Sequence, residues 1–212
     1  KDKIKFIQNK ALELSMFLSI PATIALMIGS EEIVSALFGY GSFDEESVNN
    51  SAKALYFFAI GLPAFALIKV FSSFFFANHD TKTPFYISLV SVVINITISL
   101  YYFSNIGFII IPIATSISSW FNSIVLFLFL KSQKLFEFNE IFFIKFFKIT
   151  FSSITMGLIF NYLISFFENK LIYEYNLKLF YLLLSVLLGL MFYLIVSFFI
   201  NAFNSKDLKL KY

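Results

Sequence analysis

The chain has 212 residues, of which 59% are hydrophobic, 21% aromatic and only 14% charged, and its net charge is +3. A soluble domain carries about 25% charged residues because its surface faces water, so the composition indicates an integral membrane protein. The absence of cysteine excludes disulfides and thiolate metal sites, and a single histidine leaves little for a metal centre or acid–base catalysis. We therefore expect neither an enzyme nor a metalloprotein.

Six segments are long and apolar enough to cross the membrane, which takes about 20 helical residues. Such continuous runs predict an all-α, polytopic membrane helix bundle, since barrel strands alternate in runs of about ten residues. We divide the chain into four spans within residues 1–130, and two further spans with a cytoplasmic tail within residues 131–212. In chain order the spans are Ala11–Gly29, Ala52–Ala77, Phe85–Phe103, Gly107–Leu130, Ile144–Phe167 and Lys178–Ile200.

The lysines predict the orientation of these spans. On one side, twelve of the 16 basic residues lie in Lys1–Lys10, Asn78–Pro84, Lys131–Lys148 and Ala202–Tyr212. The loop Ser30–Ser51 on the opposite side is acidic. The positive-inside rule then places both termini in the cytoplasm. Lysines scattered between apolar runs do not form the basic face that nucleic-acid binding requires, so we expect no nucleic-acid partner.

Lys69 is the sharpest candidate for a functional residue. It lies eight residues before the end of the second span, about 12 Å deep at 1.5 Å per residue. A charge at that depth costs at least about 2.5–3.5 kcal/mol, so it usually faces a cavity or a partner. We expect an anionic substrate, or an acid elsewhere in the protein, as its counter-charge. The alternative is that the flexible stem carries the ammonium to the headgroups.

Gly61 and Pro63 lie in the same span, before Lys69. Proline removes a backbone hydrogen bond and kinks a helix, and a nearby glycine loosens the same turn. The pair is a candidate hinge for alternating access. A static bend explains it equally well, because both residues are common in membrane helices.

Small polar residues recur on one face of the third span and on one face of the fourth. Such faces usually pack together through interhelical hydrogen bonds. The alternative is a sodium-type site with oxygen ligands from Asn95 and Thr115, although a hard cation prefers a carboxylate. The two faces consist of Ser88, Ser91, Asn95 and Ser99, and of Thr115, Ser119 and Asn122.

The second span and its flanking loops resemble the MurJ/MviN family. The outer-loop run ALFGYGSFD covers Ala36–Asp44, and the span itself carries GLPAF at Gly61–Phe65, followed by Lys69-Val70. FFA then ends the span and DTKTP follows in the loop Asp80–Pro84. In this order the motifs are similar to the tenth helix of those proteins and the cytoplasmic loop after it. Leu18–Pro21 and Gly107 also fit the family pattern.

The resemblance implies helices nine to fourteen of the fourteen-helix, MATE-like MurJ/MviN fold, within the multidrug/oligosaccharidyl-lipid/polysaccharide exporter superfamily. It implies the C-terminal part of a lipid II flippase. Such a protein moves the undecaprenyl-linked peptidoglycan precursor across the bacterial inner membrane by alternating access, in cell-wall biogenesis. Lys69 would contact the pyrophosphate, and Asn95 and Thr115 would hold a sodium ion, with Ser99 where an acid is expected.

The partners implied are the lipid-linked substrate, membrane lipids and the N-terminal lobe of the full-length protein. No cofactor is implied beyond sodium or the membrane potential as a driving force. Two other functions stay open: a related exporter of drugs or other polyprenyl-linked sugars, and a non-transporting membrane scaffold. The chain begins with Lys1 and not with Met, which we interpret as a processed start or a piece of a longer protein.

Overall fold

The computed structural model describes residues 2–202, with side chains from residue 3 onward. This part of the chain is helical, and no strand occurs in it, which confirms the predicted all-α class. The helices are α1 (Asp2–Ile28), α2 (Ser30–Phe38), α3 (Glu45–Ala77), α4 (Lys82–Ile106), a 3₁₀ turn (Gly107–Ile109), α5 (Ile110–Ser132), α6 (Glu140–Phe166), α7 (Glu168–Leu171) and α8 (Lys178–Phe199).

Five helical stretches in the described part are long and apolar enough to cross a membrane. One of them, Lys82–Ser132, has 51 residues. A straight helix of that length would measure about 77 Å, more than twice the hydrocarbon thickness. The stretch is instead a hairpin of α4 and α5, which reverses at Gly107 with a φ of +74°. It therefore supplies two of the six predicted spans.

The helices extend beyond the predicted spans into segments expected to be loops. α1 begins at Asp2, and the expected loop Ser30–Ser51 contains α2 and the start of α3. Asp44 explains the early start of α3, because its carboxylate accepts the Ser47 backbone N–H at 2.9 Å as a helix cap does. The predicted cytoplasmic tail lies outside the described residues after Ala202.

The described residues form two compact units, and α1, α3 and α6 are each divided between them. Among the described residues, the first unit comprises residues 2–19 and 60–146. Its core is a cluster rich in phenylalanine, in which Phe136 stacks on Phe74 with ring centroids 5.7 Å apart. Phe136 belongs to the segment between α5 and α6. Buried Asn9 of α1 holds this segment, since its side chain bonds Glu137 and Asn139 backbone groups at 2.9 Å.

Among the described residues, the second unit comprises residues 20–59 and 147–202. Two glycines permit close helix packing in it, as small residues do in membrane proteins. A Cβ on Gly157 would lie 2.5 Å from Ile24, and one on Gly29 would lie 2.8 Å from Phe160. Phe160 also belongs to the buried cluster that contains Leu182 of α8. The division of the chain at residue 130 remains a prediction.

The turn between α3 and α4 is fixed by a pair of capping motifs. α3 ends in a Schellman motif, in which the Asp80 N–H donates to Phe75 O and the His79 N–H donates to Phe76 O, both at 3.0 Å. His79 takes the left-handed conformation that this motif requires, with a φ of 60°. The Asp80 carboxylate then accepts the N–H groups of Lys82 and Thr83 and caps α4.

Candidate functional site

Lys69 lies on an exposed face of α3. Within the part of the chain that the structure describes, its ammonium has no hydrogen bond and no ion pair. Phe65 lies one turn before it on the same side of the helix and lines a polar cavity described below. An exposed ammonium eight residues inside an apolar helix needs a counter-charge or a route to the headgroups. Both interpretations of Lys69 therefore stay open.

Gly61 and Pro63 lie where α3 packs against α5. A Cβ on Gly61 would lie 2.8 Å from Ser116 Oγ and 3.2 Å from Ser116 Cα, so glycine allows a close approach. Trp120, the chain's single tryptophan, donates its indole N–H to the carbonyl of Ile60 at 3.0 Å. Pro63 has no N–H to donate to the carbonyl of Ala59, the residue before Ile60, so the helix hydrogen bonding is weakened in this turn. The sequence analysis did not identify Trp120, because its partner Ile60 lies 60 residues away in the chain.

The polar faces of α4 and α5 meet, as the sequence predicts. Asn95 Nδ2 donates to Thr115 Oγ1 at 3.0 Å and to Ser118 Oγ at 3.3 Å. Nearer the other end of the hairpin, Asn122 Nδ2 donates to Ser88 Oγ at 3.3 Å. The pairs run in opposite directions along the two helices, so α4 and α5 are antiparallel. The predicted interhelical hydrogen bonds are confirmed.

These residues line a cavity of about 330 Å³ within the first unit. Asn95 and Thr115 both line it, so the structure brings together the two predicted cation ligands. No charged side chain is among the residues that line this cavity, so it lacks the carboxylate that a hard cation prefers. The lining consists of Phe65, Ile68, Ser88, Ser91, Val92, Asn95, Thr115, Ser118, Ser119 and Asn122.

The cavity presents more acceptors than donors. The hydroxyls of Ser91, Thr115 and Ser119 donate their hydrogens to helix carbonyls, at 2.6 to 2.8 Å. Their remaining lone pairs, and not their protons, are thus left for a ligand. Asn122 Oδ1 is buried and has no hydrogen-bond partner. A neutral, acceptor-rich lining of this kind suits a cation or another hydrogen-bond donor.

Two groups of charged residues were not singled out from the sequence. In the first unit, Glu13 Oε2 binds Lys10 at 2.8 Å and Lys145 at 3.0 Å, and Lys10 and Glu13 are both buried. Lys10 and Glu13 lie three residues apart at the start of the first predicted span, so the sequence could have indicated this ion pair. Its contact with Lys145 depends on the fold and has no local signature.

The second unit contains a cavity of about 470 Å³ with an acidic lining. Glu31, Glu32, Glu45 and Glu168 contribute carboxylates to it. Burial raises the pKa of Glu32 above its ordinary value, and the neighbouring Glu31 carboxylate adds to the rise. The acidity of the loop was predicted, but its gathering around a cavity was not, because Glu168 comes from a distant segment.

Membrane-length apolar helices and a hairpin joined by hydrogen bonds between polar side chains define a multi-pass helical membrane protein. The model of the family described as "Lipid II flippase MurJ" matches residues 1–183. The probable lipid II flippase MurJ of Rickettsia prowazekii (strain Madrid E) is 40% identical over 116 residues, which make up 55% of this chain and 23% of that protein. The corresponding protein of Thermotoga maritima is 36% identical over 157 residues, or 74% of this chain and 32% of that protein.

A solved structure, lipid II flippase MurJ in an inward closed conformation, matches with a TM-score of 0.75 and 26% identity. The match covers 92% of this chain and 39% of that one. This chain belongs to the MurJ family of lipid II flippases. It spans 23% and 32% of the length of the two curated relatives.

Proposed function

We propose that this chain is the C-terminal part of a lipid II flippase of the bacterial inner membrane. The full-length protein moves the undecaprenyl-linked peptidoglycan precursor to the outer leaflet by alternating access. The match of 92% of the chain to a solved flippase structure carries this proposal. Transport, and not catalysis, is the activity proposed, with the N-terminal lobe of the full-length protein supplying the other half of the transport path.

In this proposal Lys69 contacts the anionic part of the substrate. Its exposed position on α3 supports the role, because an ammonium at this depth is stabilised by a phosphate partner. A lipid-linked pyrophosphate offers such oxygens. Gly61 and Pro63 act as the flexing element of α3, because proline removes a helix hydrogen bond and glycine loosens the same turn. The close contact at Ser116 and the Trp120 bond to the Ile60 carbonyl would hold this element in one of the alternating states.

The cavity between α4 and α5 is proposed to hold a monovalent cation such as sodium, with Asn95 and Thr115 as ligands. The support is the number of lone pairs that the cavity presents and the unpartnered Asn122 Oδ1. Sodium binding, or the membrane potential, would then bias the alternating states. Replacing both Asn95 and Thr115 by alanine should remove any sodium dependence of transport.

Substitution of Lys69 tests the proposed substrate contact. The full-length gene carrying Lys69→Ala is expressed in cells depleted of their own lipid II flippase. We expect loss of growth rescue, and a transport rate at least about tenfold lower, because a hydrogen bond to a charged group is worth that factor. Lys69→Arg should keep part of the activity, since it retains the charge.

Ser73→Ala is the matched control, because Ser73 lies one turn further along α3, is exposed and only donates to its own helix at Val70 O. It should rescue growth normally. Membrane levels of all variants are compared by immunoblot. Normal cell-wall synthesis with Lys69→Ala would remove Lys69 from the mechanism.

The same assay separates the alternatives. A wild-type gene that fails to rescue flippase-depleted cells but exports drugs or other polyprenyl-linked sugars would be a related exporter. If substitutions at both Lys69 and Pro63 are silent, the scaffold function is favoured.

A further inference from the structure

Lys178, the first residue of α8, is fully buried although it carries a charge. Its Nζ donates to the carbonyls of Gly39 and Tyr173, each at 2.7 Å, and lies 3.4 Å from Ser35 Oγ. Among the described residues no carboxylate lies at ion-pair distance from it. The ammonium is therefore satisfied by neutral acceptors alone.

Two tyrosine rings complete the surroundings of this ammonium. Nζ lies 4.3 Å from the ring centroid of Tyr40 and 4.6 Å from that of Tyr173, within the range of cation–π attraction. The Tyr173 hydroxyl in turn donates to Phe43 O at 2.7 Å. A buried charge is otherwise costly, so these acceptors and rings are what stabilise Lys178 in place.

The contact at Gly39 depends on the absence of a side chain. A Cβ there would lie 2.6 Å from Ser35 O and 3.1 Å from the Tyr173 ring. Glycine thus lets the α2 end approach both the ring and the ammonium. Gly39 and Tyr40, both within the outer-loop run Ala36–Asp44, form the Lys178 cage together with Ser35 and Tyr173.

We infer that Lys178 is a latch that fastens the segment 39–43 after α2 to the segment 172–177 before α8. Phe43 and Tyr173 pack on the buried cluster of Val34, Val48 and Ala52, so the latch keeps this cluster covered. Without the ammonium, the two segments lose the cation that both of them contact and keep the direct Tyr173 bond to Phe43 O, so they separate more often. The inference goes beyond the proposed transport function and does not depend on it.

A single reporter cysteine tests the latch, since this chain has none of its own. Ala52 is 4% exposed, and Ala52→Cys reports the opening of the covered cluster. The full chain in detergent is treated with a small maleimide and the rate of reaction is measured. Lys178→Met keeps the length of the stem and removes the ammonium. We expect it to raise the rate by about tenfold or more, the factor expected for losing a hydrogen bond to a charged group.

Two controls separate local opening from other effects. Lys131→Met should leave the rate unchanged, because Lys131 is exposed at the end of α5 and belongs to neither of the segments 39–43 and 172–177. Ser185→Cys reports on the interior of α8, where Ser185 is 0% exposed. It should stay unreactive in the Lys178→Met background and react only in denaturing detergent.

Chemical rescue tests whether the ammonium, and not the bulk of the stem, is responsible. Butylammonium added to Lys178→Ala should restore slow labelling at position 52, whereas n-butanol should not. Equal labelling rates for Lys178→Met and the parent chain would overturn the latch. Equal rescue by n-butanol would overturn the role of the ammonium, because it would show that only the bulk of the side chain matters. Labelling at position 185 together with position 52 would overturn local opening, because it would show that the whole unit unfolds.

Discussion

At Gly61 the backbone of α3 approaches α5 so closely that one added carbon atom meets the Ser116 hydroxyl and Cα. We expect Gly61→Ala to destabilise the protein by about 1–3 kcal/mol, as overpacking of a tight contact does. The higher helix propensity of alanine offsets only part of this cost. Thermal unfolding in detergent measures the effect.

Gly189→Ala is the control for this substitution, because its Cβ would meet Phe160 at 3.7 Å and Met156 at 4.0 Å, which are ordinary contacts. It should leave the Tm unchanged or raise it. If Gly61→Ala is as stable as Gly189→Ala, the contact with Ser116 does not constrain α3.

Two capping motifs join α3 to α4 in a short turn, and the second of them depends on the Asp80 carboxylate. The backbone and side-chain hydrogen bonds of Thr83 lower the pKa of the Asp80 carboxyl below its ordinary value of 3.8. The ionised cap thus stabilises the folded state above about pH 4, and its contribution is lost as pH falls through the folded-state pKa. We expect Asp80→Ala to lower the Tm at pH 7 and to differ less from the parent below about pH 4.

Asp80→Asn is the matched variant, since asparagine caps a helix about as well as aspartate but does not titrate. Its Tm should lie near that of the parent at pH 7. A Tm for Asp80→Ala equal to that of the parent at neutral pH would contradict the capping role.

The elements also show where sequence reasoning succeeds and where it stops. The spans, the α4–α5 hairpin and its polar contacts were predictable, because hydrocarbon thickness and helical periodicity act along the chain itself. The helix α2, the Trp120 bond and the cage around Lys178 were not. Lys178 looks like an ordinary lysine at the edge of a span, and only the meeting of two distant loops makes it a buried cation.

For the whole molecule, the orientation predicted from the lysines is the property most open to direct measurement. We expect Ser42→Cys, in the exposed turn before α3, to react with a membrane-impermeant maleimide in intact spheroplasts. Gln133→Cys, exposed after α5, should react only once the membrane is permeabilised. The physical reason is the concentration of lysines on the Gln133 side of the spans.

Both positions are exposed, so accessibility within the protein does not distinguish them. A Cys-free background makes each label unambiguous. Labelling of position 133 in intact spheroplasts, with position 42 protected, would reverse the proposed orientation and move the acidic cavity residues to the cytoplasmic side.

The α4–α5 hairpin has a consequence for how the protein is made. α4 carries Ser88, Ser91 and Asn95 toward α5, and Asn95 finds its partners only there. A nascent α4 alone would leave the Asn95 amide without these partners in lipid, where unpaired polar groups are costly. Because the turn at Gly107 is so short, the two helices can leave the translocon as one paired unit. We therefore expect α4 and α5 to enter the bilayer together as a hairpin, and α4 to remain at the translocon until α5 has been synthesised.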